Sequence, residues 1–149
     1  MVASTNTIEI SRPLHEVYGF LMDVSNYLLW TGGLLKLEAT DGMNVGSRLS
    51  FHSHGLGKTL ELAAMVTANN GKSEFEVASV RGPVKFESRY ILTAVGGGTH
   101  LTLQNRIDTN TVFRLAEPLL QSIGESKYDT DLRSLKAVLE SKDKSLRVS

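Results

Sequence analysis

Between Leu34 and Ile107 apolar and polar residues alternate, and the alternation is cut by turns at Asp41-Gly42, Gly55 to Gly57, Asn69 to Gly71, Gly82-Pro83 and Gly96 to Gly98. A period of two sends successive side chains to opposite faces, so this stretch predicts six strands joined largely as hairpins. One face collects Leu35, Leu37, Leu49, Phe51, Leu60, Leu62, Ala64, Val66, Phe75, Val77, Phe86, Tyr90, Leu92, Leu101, Leu103 and Ile107. The other is polar, with Lys36, Glu38, Arg48, His52, His54, Glu61, Arg89 and Arg106 among its members. An antiparallel sheet with one covered and one wet face produces such a division.

The flanking segments must supply the cover. Ile8 and Ile10 share a face of an earlier strand; Ser11, Arg12 and Pro13 then offer an N-cap and an early helical proline. Leu14, Val17, Tyr18 and Leu21 follow with helical spacing, Asp23 to Ser25 interrupt it, and Asn26 to Trp30 form a second short helix that ends at Gly32-Gly33. At the other end, Val112 to about Ser141 reads as one long helix carrying Leu119, Leu120, Ile123, Tyr128, Leu132, Leu135 and Leu139. From Pro118 to Glu140 it spans roughly 34 Å, and the strand expected at Val84 to Val95 spans about 40 Å. The helix can therefore lie along the sheet. The predicted fold is α+β: a curved seven-stranded antiparallel sheet around a long C-terminal helix, with two short helices after the first strand. Residues 1–141 are expected to form a single domain, and 142–149, with Lys142, Lys144 and Arg147, a frayed tail.

Composition narrows function. Lys plus Arg and Asp plus Glu both number 16, so no net field draws the chain to nucleic acid or an anionic membrane. There is no cysteine, which removes disulfides and thiolate chemistry. Met1 to Thr7 lacks a signal pattern and no apolar run reaches the roughly 20 residues of a membrane span. The expectation is a cytoplasmic protein without membrane insertion.

The order of elements, together with Ile8 to Ile10, Arg12-Pro13, Val17, Phe20, Asp23 and Trp30, resembles the START-like or Bet v 1-like (SRPBCC) superfamily, and within it the polyketide cyclase/dehydrase and lipid transport group. Val45-Gly46-Ser47-Arg48 resembles the family's turn into its second long strand. Tyr90-Ile91-Leu92 with Gly97 to Leu101 resembles its final hairpin, and Leu132 to Glu140 its terminal helix. The resemblance implies a helix-grip fold whose members hold lipids, sterols, polyketides, quinones or hormones in an interior cavity. The shared residues are structural, so it carries over no catalytic residue.

A cavity is also suggested by the residues themselves. Pro118 should start or kink the long helix, and Gly124 costs about 1 kcal/mol relative to alanine inside it. Leu132, Leu135, Val138 and Leu139 should plug one end of the sheet, leaving the end near Phe113, Leu120 and Ile123 open. The covered face carries Ser53, Ser79, Ser88, Tyr90 and Asn105 among its apolar positions, and buried polar groups need partners. Each could be a small filler or a rim residue; together they are candidates for orienting a ligand. The candidate ligand-binding residues are Phe51, Ser53, Phe75, Phe86, Ser88, Tyr90, Asn105, Phe113, Leu120 and Ile123. Trp30 could be a lid over the pocket mouth; the resemblance implies instead that it packs between the second short helix and the sheet.

Chemistry is harder to find. His52 and His54 project to one face, as two metal ligands do, but alternation places them on the wet face. No Gly-x-Ser-x-Gly elbow exists, and Gly96 to Gly98 precedes no helix, so neither a serine nucleophile nor a phosphate loop is indicated; no cofactor or metal is expected. Tyr90 and Asn105 could polarise a carbonyl, but the pocket face shows no histidine, carboxylate or arginine apart from residues such as Glu117. The sequence thus points first to a carrier or sensor of a small hydrophobic molecule. A polyketide cyclase/dehydratase-type enzyme using the same cavity comes second and an interaction or regulatory module third, with catalytic residues unassigned. The sequence leaves a homodimer open.

Overall fold

The computed structural model describes residues 2–55, 57–82, 85–108 and 117–148, without the side chains of 117–123 and 142–148. In chain order the elements are β1 (Val2–Ile10), α1 (Leu14–Met22), a 3-10 turn (Val24–Asn26), α2 (Tyr27–Trp30), β2 (Leu34–Ala39), β3 (Arg48–Gly55), β4 (Lys58–Asn69), β5 (Glu74–Arg81), β6 (Lys85–Val95), β7 (Gly98–Asp108) and α3 (Glu117–Val148). The strands form one antiparallel sheet in the order β1-β7-β6-β5-β4-β3-β2. Each hairpin places sequence neighbours side by side, and β1 closes onto β7 in register from Val2↔Ile107 to Ile10↔Thr99. This is the expected helix-grip architecture.

Curvature comes from breaks in register. Irregularities fall between Leu34 and Lys36, between Ala63 and Ala64, and between Val66 and Ala68. Each puts an extra residue on one strand, which bends the strand and increases its twist. The first also corrects the expected facing of β2. Leu34 pairs with Ser53 and Leu37 with Phe51, so three steps of β2 meet two of β3. Leu34 and Leu37 turn inward, whereas Leu35, expected on the covered face, is 57% exposed.

The helices close the sheet at one end. Leu132, Leu135 and Leu139 are buried with Val17, Phe20 and Leu21 of α1 and with Ile10, Leu92, Leu101 and Leu103 of the sheet, as the dense stripe on α3 requires. The start of α1 differs from expectation. Pro13 is itself the cap residue and no side chain caps the helix; Glu16 and Val17 donate their N–H groups to the Pro13 carbonyl. Ser11 instead donates its N–H to the Glu140 carboxylate at 2.9 Å, tying the end of β1 to α3. Lys136 reinforces that tie by donating to both the Glu9 carbonyl (2.8 Å) and Glu140 (2.7 Å). Helix α3 is described from Glu117, and Pro118 is its second described residue; the stretch from Val112 to Ala116, expected to belong to the same helix, lies outside the described residues. Among the described residues no helix is long and apolar enough to cross a membrane.

Candidate functional site

A cavity of about 320 Å³ remains between the concave sheet face, α2 and the middle of α3. Its sheet wall is built by inward positions of β2 to β7, and the alternation that made those strands places most of the lining. Phe51 and Ser53 stand two apart on β3, Phe86, Ser88 and Tyr90 on β6, and Leu103, Asn105 and Ile107 on β7. Register then sets neighbours: Ser88 faces Asn105, and Tyr90 faces both Phe75 and Leu103. Seven of the ten residues expected to bind ligand, namely Phe51, Ser53, Phe75, Phe86, Ser88, Tyr90 and Asn105, therefore line one cavity. Phe113 lies outside the described residues, as do the side chains of Leu120 and Ile123. Gly124 does not line the cavity; a methyl there would meet Tyr128 at an ordinary 4.0 Å.

Aromatic rings stiffen the wall. Phe75 and Tyr90 stack with centroids 4.4 Å apart and planes at 9°, and Phe51 meets Phe86 edge to face at 6.2 Å. Such pairs add about 0.5–1.5 kcal/mol beyond the apolar area they bury. The polar groups are few. The Ser88 hydroxyl donates to Asn105 Oδ1 at 2.5 Å, leaving Nδ2 of this 3% exposed residue without a partner among the described residues. Trp30 is 4% exposed and stands 5.3 Å from the Tyr27 ring, as a packing residue does, but it also lines the cavity, and its Nε1–H has no partner among the described residues. The Thr31 hydroxyl is in the same position. A buried polar group left unpaired costs about 1–3 kcal/mol.

Reading the strands alone missed the charges that the helix supplies. Asp131 lines the cavity at 4% exposure, and Lys127, one turn earlier on α3, lines it as well. The Asp131 Oδ1 accepts the N–H of Gly32 at 2.9 Å, and Oδ2 accepts from Lys127. That approach needs a bare backbone: a methyl on Gly32 would stand 3.1 Å from Asp131 Oδ1. Gly33 is equally constrained, with φ at +81° and the His54 carbonyl 3.1 Å from where its Cβ would be. The Gly32-Gly33 turn thus lets α2 fold over the cavity and be fastened to α3. A signal was present in the sequence, because Asp131 falls three residues after Tyr128 and four before Leu135, inside the apolar stripe.

Tyrosine chemistry follows from burial. Burial pushes the Tyr90 phenol well above its ordinary value, with Tyr128 and then Asp131 adding to the effect. Tyr128 is raised to about 12 by burial and then by the Asp131 charge. Tyr27 is raised by burial and by Tyr90 and Tyr18, and it donates its hydroxyl to the Leu21 carbonyl at 2.9 Å. At neutral pH these phenols are hydrogen-bond donors and poor bases. The Tyr90 hydroxyl has no hydrogen-bond partner among the described residues, which leaves it to the cavity.

Other features lie apart from this site. Ser79, expected on the covered face, accepts the Phe86 N–H at 2.9 Å just past the last β5–β6 pair, Ala78↔Glu87, and so extends the ladder rather than lining the cavity. A second depression of about 340 Å³ lies beside it, with the charged residues Arg81, Lys85, Glu87, Arg106 and Asp108 at its walls. On the wet face His52 Nε2 is 3.3 Å from the Glu61 carboxylate, and among the described residues no group of three or more His, Asp or Glu is placed to hold a metal.

Comparison with solved structures shows the same fold. A protein from Thermus thermophilus superposes with a TM-score of 0.81 at 17% identity, covering 93% of this chain and 98% of that one. A START superfamily protein from Mycobacterium smegmatis gives 0.79 at 14% identity, covering 93% and 97%. The ZhuI aromatase/cyclase from a Streptomyces species gives 0.79 at 16%, covering 93% of each chain. No curated protein matches the sequence. The model of the family described as polyketide cyclase / dehydrase and lipid transport matches residues 1–140, nearly the whole of the folded chain just described, and to that family this protein belongs.

Proposed function

We propose that the protein binds a small, neutral, hydrophobic molecule in the cavity between sheet and helices, and acts as its carrier or sensor. The observation that supports this reading is a mostly apolar wall holding a few polar side chains, the usual make-up of a small-molecule site. Phe51, Phe75 and Phe86 supply the apolar contact, and Ser53, Ser88, Tyr90 and Asn105 orient the ligand. A volume of about 320 Å³ falls at the small end of such sites and suits a compact ring system. Balanced charge favours a small-molecule partner over nucleic acid.

A second reading, a cyclase/dehydratase-type enzyme, draws on Asp131, a carboxylate in the cavity wall close to Tyr90 and Tyr128. It ranks lower because both oxygens of Asp131 are engaged by Gly32 and Lys127. Native mass spectrometry of the purified chain tests the first reading, with a retained hydrophobic molecule as the expected result. Tyr90→Phe separates the two. A carrier should lose about 0.5–1.5 kcal/mol of affinity, the worth of one neutral hydrogen bond. An enzyme should lose roughly 10²-fold in turnover with affinity nearly unchanged. Turnover of a hydroxy-ketone or poly-β-keto compound that collapses in Tyr90→Phe would refute the carrier reading.

A further inference from the structure

The sheet has two edges, and they are treated differently. Along β1 the long helix supplies partners: the Asn6 side-chain amide donates to the Glu125 carbonyl at 3.1 Å, and Lys136 donates to the Glu9 carbonyl at 2.8 Å. From Leu35 to Ala39, β2 has β3 as its hydrogen-bonded neighbour on one side and none on the other among the described residues. The Thr40 N–H donates to the Arg48 carbonyl at 3.1 Å, and in an antiparallel pair every second residue faces its neighbour. Glu38 and Lys36 therefore bond to β3, opposite Ser50 and His52, whereas Leu37 and Ala39 turn their N–H and C=O groups to the open edge.

An edge is kept single most simply by charges that repel a second copy of themselves. β2 carries one charge of each sign, Lys36 and Glu38, both exposed and 3.3 Å apart. An antiparallel copy can bond to this edge only where open-edge residues meet open-edge residues, which puts the two-fold axis at Lys36, Leu37 or Glu38 if the regular stretch is to overlap. The first choice sets Lys36 against Lys36 and the third Glu38 against Glu38, like charges directly opposite. With the axis at Leu37, Lys36 of each copy meets Glu38 of the other, and Leu35, 57% exposed in the single chain, comes beside Ala39. From this self-complementary pattern we propose that β2 is the contact surface for a second copy of this chain, joined through an antiparallel β2–β2 ladder with Leu37 on the two-fold axis. The bulge at Leu35 ends the ladder, so the contact is short and the pair weak and reversible. Nothing in this inference depends on what the cavity binds.

Sedimentation velocity of the full chain from about 5 to about 500 µM should show monomer at the low end and a growing dimer fraction at the high end. Lys36→Glu and Glu38→Lys each turn two opposite-charge contacts into two like-charge ones. Either change alone should therefore raise the dimer dissociation constant at least about fourfold. Mixed in equal amounts, the two single variants should pair with each other more readily than either pairs with itself, because one then offers two negative and the other two positive side chains. The double variant Lys36→Glu/Glu38→Lys should pair as the wild type does. Both side chains are exposed, so these changes leave the fold in place, which circular dichroism checks. A wild-type chain that stays monomeric throughout, single variants that dimerise as the wild type does, a mixture that associates no better than its components, or a double variant that stays monomeric would overturn the β2 contact.

Discussion

Replacing Asp131 asks whether its carboxylate fastens the helical cover or serves what the cavity holds. In Asp131→Ala the Gly32 N–H loses a charged acceptor at 2.9 Å, a loss of about 1.5–3 kcal/mol for a bond of this kind. Losing the pair with Lys127 adds less than about 1 kcal/mol, because the lysine side chain is 42% exposed and water takes up its charge. Asp131→Asn keeps an oxygen for Gly32 and gives up the ion pair, so it should cost about 1 kcal/mol or less. For a chain of this size a kilocalorie moves the melting temperature by roughly 2–4 °C. Alanine should therefore lower it by about 3–16 °C and asparagine by about 4 °C at most. Urea denaturation read by circular dichroism gives the two free energies directly. Equal stability of Asp131→Ala and wild type would show that the tie carries no weight. An asparagine variant as damaged as alanine would show that the ion pair, and not the bond to Gly32, holds α2 to α3. Ligand affinity should survive in Asp131→Asn; loss of a turnover by roughly 10²-fold in that variant would move the carboxylate into catalysis.

Two pH responses follow. Tyr27, Tyr90 and Tyr128 keep their protons above the ordinary phenol value of about 10, Tyr128 to about 12, so the stability they confer is complete below pH 10 and is lost as pH rises toward 12. Phenolate absorbance followed alongside unfolding should show these groups ionising only as the fold opens; ionisation near pH 10 in the intact fold would contradict their burial. Glu140 is held below its ordinary 4.5 by the Lys136 hydrogen bond and then by the Ser11 N–H, so its contribution is present above that value and lost as pH falls through its folded one. Glu140→Gln should flatten the acid limb of a stability profile taken from about pH 3 to 6, and an unchanged limb would show that the clasp between β1 and α3 carries no pH dependence.

The periodicities alone determined the sheet, the short helices, the long helix and the face each would bury. Burial is decided strand by strand and turn by turn, so a local pattern encodes it. The candidate residues Phe51, Ser53, Phe75, Phe86, Ser88, Tyr90 and Asn105 reached one cavity for that reason: each is an inward position of a regular strand. Tertiary structure decided what depends on a second segment. The register break opposite Ser53 turned Leu35 outward, and the end of the β5–β6 ladder drew Ser79 into a backbone bond. The partner of Asp131 is Gly32, 99 residues away, so no local pattern could show that a carboxylate on the apolar stripe would have its charge answered. Trp30 is buried like the packing residue that the family resemblance implied, and only the surrounding wall showed that its N–H has no acceptor among the described residues. Hydrophobic burial can be read from one element, whereas hydrogen-bond satisfaction is a relation between two, and it exists only once the chain has brought them together.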